Sequence, residues 1–254
     1  MFPSSPLSVI IFCATLSILS CKENTQQPEN HLGEIKFEAT GKAEAQPLFT
    51  KGMLLLHSFE YADAAEAFVE VKTMDPDFVM AYWGEAMTYN HPLWQEQNYD
   101  KGNEILNALA PTPEGRIEKA KSAIEKDFIG GINILYGPGD KATRDSSYAE
   151  YMETLYGKYP GNDEVASFYS LALNGWGTTD TNKQIFEKAA KISYEVLERN
   201  PNHPGALHYI IHAYDDPQYA DLALATADKY AKVAPDAGHA LHMPTHTYLA
   251  LGLW

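Results

Sequence analysis

The sequence predicts an all-α fold built from antiparallel helix pairs, and three observations support this prediction. From residue 45 onward, apolar residues recur at spacings of three and four, the period of a helix with one buried face. Clusters of Pro, Gly, Asp and Asn close each apolar stretch, as they do at helix ends. A block that starts near residue 201 recurs 34 residues later, which indicates stacked repeats. We find no convincing strand.

The first twenty residues, "MFPSSPLSVIIFCATLSILS", carry no charge and contain an apolar run that is short for a membrane span. Residues 1–20 are therefore interpreted as an export signal. The segment ends in "ILSC", which resembles the lipobox of bacterial lipoproteins. That resemblance implies that Cys21 becomes the acylated N-terminus of the mature chain. The expected location is the bacterial cell envelope, with the lipid in the outer membrane and the chain facing the periplasm or the cell surface.

Residues 21–44 are polar and poor in large apolar side chains, so they are predicted to form a flexible tether between the lipid and the folded body. The two cysteines, Cys13 and Cys21, both fall in or at the end of the predicted signal. A mature chain without thiols would have no disulfide and no thiolate metal site, so its stability would depend on packing.

Three later segments share one pattern, in which a small residue follows a proline by five positions and a tyrosine follows eight positions after that. They are "MDPDFVMAYWGEAMTYN", "NPNHPGALHYIIHAY" and "APDAGHALHMPTHTY". This order and its 34-residue period resemble the tetratricopeptide repeat (TPR). The resemblance implies that residues 45–254 form a TPR-like α–α superhelix of antiparallel helix pairs.

Two segments depart from the pattern. Residues 111–159 are helical in pattern but out of register, and they are interpreted as a divergent or inserted repeat. The final "LALGLW" completes the first helix of a repeat whose second helix is absent, so we expect either that the chain is a fragment of a longer protein or that its end is frayed.

Two histidine pairs lie on the repeat. His208 and His212, like His242 and His246, are four residues apart, and each residue of the first pair precedes its equivalent by 34 positions. A spacing of four keeps both side chains on one face of a helix. In TPR arrays the first helix of each pair lines the concave groove, so the resemblance implies that these histidines face that groove. The same register places further candidate groove residues there, namely Trp83, Asn90, His91, Asp215 and His239.

Imidazole is a good ligand for zinc and copper, and two pairs on adjacent helices can supply four nitrogen atoms. His208, His212, His242 and His246 are therefore predicted to bind a transition metal, zinc or copper. Pro244 lies inside the second pair and cannot donate a helical hydrogen bond, so the helix either kinks there or begins near it.

The charge balance and the motifs limit the possible functions. With 34 acidic and 19 basic residues, the net charge of −15 disfavours a nucleic-acid partner. Neither histidine pair carries the glutamate that activates water in zinc peptidases. The leading interpretation is a lipid-anchored protein whose groove binds a small ligand, a peptide or a protein through the histidine cluster and a metal. Two alternatives stay open, an adaptor for peptides or proteins and a metal-dependent enzyme.

Overall fold

A computed structural model describes residues 1, 31–177 and 183–253 of this chain. Cys21, nearly all of the predicted signal and residues 21–30 of the predicted tether therefore lie outside the described residues. Within the part of the chain that the structure describes, no helix has both the length and the apolar character needed to cross a membrane.

The described residues form α-helices that pack in sequence order. Their bounds are α1 Gln46–His57, α2 Tyr61–Met74, α3 Val79–Met87, α4 Tyr99–Leu109, α5 Pro113–Lys119, α6 Ala123–Leu135, α7 Lys141–Lys158, α8 Asp163–Gly177, α9 Lys183–Arg199, α10 Pro204–Ala213, α11 Leu224–Val233, α12 Gly238–His242 and α13 Pro244–Leu251. Each of α1/α2, α3/α4, α6/α7, α8/α9 and α10/α11 packs together as a hairpin of helices. These sequential pairs confirm the predicted all-α, TPR-like fold class.

Local capping explains several of the helix starts. The Ser122 side chain accepts from the Glu125 amide while the Glu125 carboxylate accepts from the Ser122 amide, which is a complete capping box at α6. Asn98, Thr112 and Asp140 each accept from a backbone N–H in the first turn of α4, α5 and α7. The divergent segment 111–159 thus folds as three capped helices.

A small hairpin that the sequence did not reveal follows α3. Strands β1 (Asn90–His91) and β2 (Glu96–Gln97) pair antiparallel, and a 3₁₀ turn at Pro92–Trp94 joins them. Gln95 ends that turn in the left-handed region at φ 57°. Two-residue strands are too short to show an alternating pattern, so this hairpin left no periodic signal.

The first helices of the pairs pack directly against one another on the inner side. Helix α1 contacts α3 and also α10, although α10 lies far away in the sequence, and α8 contacts α10. Trp83, predicted to line an open groove, is only 1% exposed and makes edge-on ring contacts with Phe128 and Phe168 at 5.2 and 5.0 Å. Asn90 is buried as well and accepts a hydrogen bond from Gln97 at 3.1 Å. Both residues belong to the packed interior, which corrects the prediction that they face a ligand groove.

The segment before α1 also differs from its prediction. Residues 31–44 were expected to be tether, yet the Glu34 amide donates to the Asn202 carbonyl at 2.9 Å and Leu32 is 5% exposed. The Phe37 ring meets Phe128 edge-on at 5.3 Å. The folded body therefore includes residues from about 31 onward, because a few apolar side chains in a polar stretch suffice to fix it to the helices.

Candidate metal-binding site

Both predicted histidine pairs form. His208 and His212 occupy successive turns of α10, and their Nε2 atoms lie 3.0 Å apart. His242 ends α12, His246 lies in the first turn of α13, and their Nε2 atoms are also 3.0 Å apart. The 34-residue duplication thus reproduces the same pair geometry twice.

Pro244 begins α13, which is one of the two arrangements predicted for it. Met243 separates the two helices but keeps helical dihedral angles, with φ −56° and ψ −37°. Since the chain continues in the helical direction through Met243, His242 and His246 stay on one face despite the break. The proline interrupts the hydrogen bonds of the helix without separating the pair.

His239 lies between the two pairs. Its ring centroid is 4.8 Å from that of His208 and 5.9 Å from that of His242. Ligand atoms of His208, His212 and His239 all lie within 4.8 Å of one another. This set differs from the predicted one, because His239 joins the first pair whereas His242 and His246 remain an adjacent pair. The sequence placed His239 in the groove but not among the ligands, since no histidine stands 34 residues before it.

Hydrogen bonds orient one ring in each pair. His208 donates from Nδ1 to the backbone carbonyl of His57 at 2.8 Å. His246 donates from Nδ1 to the Asp215 carboxylate at 2.7 Å. A proton held on Nδ1 leaves the lone pair on Nε2, and this is the arrangement that metal-bound histidines commonly use. Asp215, predicted as a groove residue, therefore orients the His246 ring by accepting its Nδ1 hydrogen bond.

The buried imidazoles are kept neutral. Burial lowers the pKa of His208 well below its ordinary value, and the nearby His212 and His239 lower it further. Burial is also the main reason why the pKa of His212 falls to about 3 and that of His239 to about 4. Neutral imidazoles have the free lone pairs that a metal ion requires. In addition, the buried Nε2 of His239 has no hydrogen-bond partner among the described residues.

Phe59 supports the three rings from one side in a strained conformation. Its φ is 56°, which is costly for a bulky side chain, and such strain concentrates at functional sites. The Phe59 ring lies 4.2 Å from His208, 5.8 Å from His212 and 5.5 Å from His239, measured between centroids. The left-handed turn therefore directs one aromatic ring against all three candidate ligands.

An aromatic patch of Tyr61, His91 and Trp94 continues from this site to the surface. His91 stacks on Tyr61 at 4.1 Å, so this predicted groove residue belongs to the patch and not to the metal-ligand set. Trp94 is 49% exposed and lies 6.2 Å from the His239 ring. The exposed indole of Trp94 therefore lies next to His239 at the edge of the histidine cluster.

A second buried group, formed by His57, Glu164 and His203, lies next to the cluster. His57 Nε2 is 2.7 Å from one Glu164 oxygen, and His203 Nε2 is 3.1 Å from the other. All three side chains are fully buried. No sequence motif marked Glu164 or His203.

The hydrogen bonds fix the protonation of this group. His203 Nδ1 accepts from the Ala206 amide, so its proton is on Nε2 and is donated to Glu164. Burial by itself would raise the pKa of the Glu164 carboxyl, but His57 and His203 outweigh burial and lower that pKa to about 2. Burial also lowers the pKa of His57. The group is a buried, ionised carboxylate whose two oxygens are each within hydrogen-bond distance of one histidine.

The two clusters are connected through His57, whose ring binds Glu164 and whose carbonyl accepts from His208. Tyr209, next to His208 on α10, completes the contact, because its hydroxyl lies 2.9 Å from His57 Nδ1. The buried carboxylate therefore fixes the position of the residue that orients His208.

No protein-family model matches this chain, and no curated protein matches it. Among solved structures, the chain is similar to YrrB, described as a TPR protein with an unusual peptide-binding site. The TM-score is 0.41 at 17% identity, over 79% of this chain and 92% of that chain. The helix pairing and the site geometry described above stand on the contacts of this chain alone.

Proposed function

We propose that this protein is a metal-binding protein in which a TPR-like helical body holds a transition-metal ion through His208, His212 and His239. One observation carries the proposal: the three side chains offer ligand atoms that lie within 4.8 Å of one another. The orienting bond from His208 to the His57 carbonyl and the strained Phe59 beside the rings support it.

The spacing of the first pair suits coordination. For metal–nitrogen bonds of about 2.0–2.1 Å, two nitrogen atoms 3.0 Å apart subtend roughly 95° at the ion. This angle lies between the square-planar and tetrahedral values, so copper and zinc both fit. The Nε2 of His239 has no hydrogen-bond partner among the described residues, which leaves it available as a third ligand atom.

The metal proposal is tested on protein purified without a histidine tag. We expect zinc or copper to be retained after dialysis, and replacement of both His208 and His212 by alanine to lower the retained metal by one ion per chain. A His31→Ala variant is the matched control, because His31 is exposed, pairs with Asp236 and is not among the candidate ligands. A wild-type chain that retains no zinc or copper above the level of the double variant would refute the proposal.

The envelope location is a separate part of the proposal and is supported by the lipobox-like "ILSC" sequence alone. Cells that express the full chain should incorporate labelled palmitate into it and recover it with membranes. The Cys21→Ser variant should lose both properties. Equal labelling of the two chains would contradict the lipid anchor.

A peptide-binding role is the second candidate, and the exposed Trp94 beside His239 favours it. Aromatic side chains are common anchors in protein interfaces. Partners would be captured with the wild-type chain and with Trp94→Ala, each with and without a chelator. Capture that depends on Trp94 and survives chelation would favour this role over the metal-binding one.

A further inference from the structure

We propose that a second metal ion binds beside the first one, held by His242 and His246, with Asp215 orienting His246. This inference rests on the proposed metal-binding function and extends it from one ion to two. The second ion is of the same class as the first, a divalent transition metal that prefers imidazole.

The second pair has the geometry of the first. Its Nε2 atoms are 3.0 Å apart. For an ion about 2.0–2.1 Å from both, the nitrogen–metal–nitrogen angle is again roughly 95°. The two rings meet nearly at right angles, with an interplanar angle of 87° and centroids 4.9 Å apart. Because His246 Nδ1 donates to Asp215, the 3.0 Å contact is a hydrogen bond from His242 Nε2–H to His246 Nε2. An ion that binds both nitrogens takes the place of this proton.

Asp215 supplies the orienting contact that a metal-binding histidine usually has. Its carboxylate accepts from His246 Nδ1 at 2.7 Å, which leaves the lone pair of His246 on Nε2. Asp215 lies just after α10 and His246 lies on α13, so the bond joins two repeats. The carboxylate also places a negative charge next to the position where a cation would bind.

A single ion bound by all four paired histidines does not agree with the structure. The ligand atoms of His242 and His246 fall outside the set that lies within 4.8 Å around His208. With His239 between the pairs, each pair serves its own ion.

The two positions differ in exposure, and this difference predicts different affinities. His208 is fully buried, whereas His242 is exposed and His246 is one-third exposed. The outer ion has two protein nitrogens, so water or a ligand from solution completes its coordination, as at open metal sites. The outer ion should therefore exchange faster than the inner one.

The test is equilibrium dialysis of the metal-free full chain against zinc alone, followed by metal analysis. We expect two zinc ions per wild-type chain and one for the double variant His242→Ala/His246→Ala. Asp215→Asn should keep two ions at saturation but bind the weaker one roughly 10- to 100-fold less tightly. The matched control is Leu249→Ala, an exposed position on the same helix α13, which should retain two ions.

The stoichiometry separates the two proposals. One ion in the wild-type chain that persists in the His242/His246 double variant would overturn the second site while leaving the first one standing. One ion that is lost in both double variants would overturn the two-ion arrangement in favour of a single shared site. No bound zinc in any chain would overturn both proposals. A thermal melt of each variant shows that it is folded before binding is measured.

Discussion

His208 is positioned by residues that are distant in the sequence. Its Nδ1 binds the carbonyl of His57, 151 positions away, and Tyr230 stacks on its other side at 5.3 Å. The 34-residue period was enough to predict that His208 has a partner four residues later. It could not reveal Glu164 or the role of the His57 carbonyl, because those contacts depend on how closely the inner helices approach each other.

The buried Glu164 carboxylate should make the folding stability of the protein depend on pH. Burial raises the pKa of Glu164, but His57 and His203 outweigh burial and lower that pKa to about 2, against 4.5 for an unperturbed glutamate, so its ionisation stabilises the folded chain at neutral pH. Since the folded-state pKa is depressed, this contribution is present above about pH 4.5 and is lost as the pH falls toward 2.

Glu164→Gln should therefore be less stable at pH 7 and should lose less stability than the wild type between pH 5 and pH 3. Urea unfolding at each pH measures this difference. Glu150→Gln, at an exposed position, is the control and should follow the wild type. Parallel pH curves for wild type and Glu164→Gln would contradict the assignment of an ionised buried carboxylate.

Gly205 is required by the close approach of α10 to α1. A Cβ atom at position 205 would lie 2.4 Å from Nδ1 of His57, where Tyr209 also binds. Gly205→Ala should displace the His57 ring, destabilise the protein by about 1–3 kcal/mol and weaken zinc binding.

Gly157→Ala is the matched control for this prediction. Position 157 lies in helix α7, and a Cβ there meets nothing within 4 Å. Alanine should therefore be neutral or stabilise the helix by up to about 1 kcal/mol. Chemical denaturation measures both variants, and equal stabilities would contradict the tight contact between Gly205 and His57.

At the scale of the elements, periodicity predicted the helix pairs well and the connecting parts poorly. The Pro-to-Ala spacing located α3, α10 and α12 because those alanines, Ala81, Ala206 and Ala240, are fully buried where helices touch. The hairpin at residues 90–97 and the packed segment 31–44 have no repeating pattern. Their structures follow from individual tertiary contacts that a single sequence does not display.

The segment before α1 provides a prediction at this scale. Leu32 is buried against the helices, whereas Lys36 in the same segment is exposed. Leu32→Ala should lower the unfolding free energy by about 2–3 kcal/mol, as expected for a buried leucine. Lys36→Ala should change it little, and the comparison is made by urea unfolding. An unchanged unfolding free energy for Leu32→Ala would instead support the flexible tether that the sequence predicted.

The whole molecule is an acidic helical array whose inner helices pack on one another. Contact between α1 and α10 brings the first and later repeats together, so the His57–His208 bond crosses the array. The sequence predicted the array but not this closure, because the curvature of a repeat protein is the sum of small rotations between neighbouring repeats. The net charge of −15 favours cations over anionic ligands.

Metal binding should stabilise the whole array, since the ligands come from α10 and α12 and are fixed to α1. An ion that binds only the folded chain adds about 2.7 kcal/mol at a free concentration 100 times its Kd. We expect zinc to raise the Tm of the wild type by several degrees. The His208→Ala/His212→Ala variant should show a clearly smaller increase in differential scanning calorimetry, and equal increases would place the stabilising ion elsewhere.

The most direct test of the central claim is a crystal of the untagged chain grown with zinc, with diffraction recorded on both sides of the zinc absorption edge. We predict an anomalous peak about 2.0–2.1 Å from a ring nitrogen of each of His208, His212 and His239. The account would be contradicted if no zinc peak lay at these three histidines and the Nε2 atoms of His208 and His212 were still hydrogen-bonded to each other.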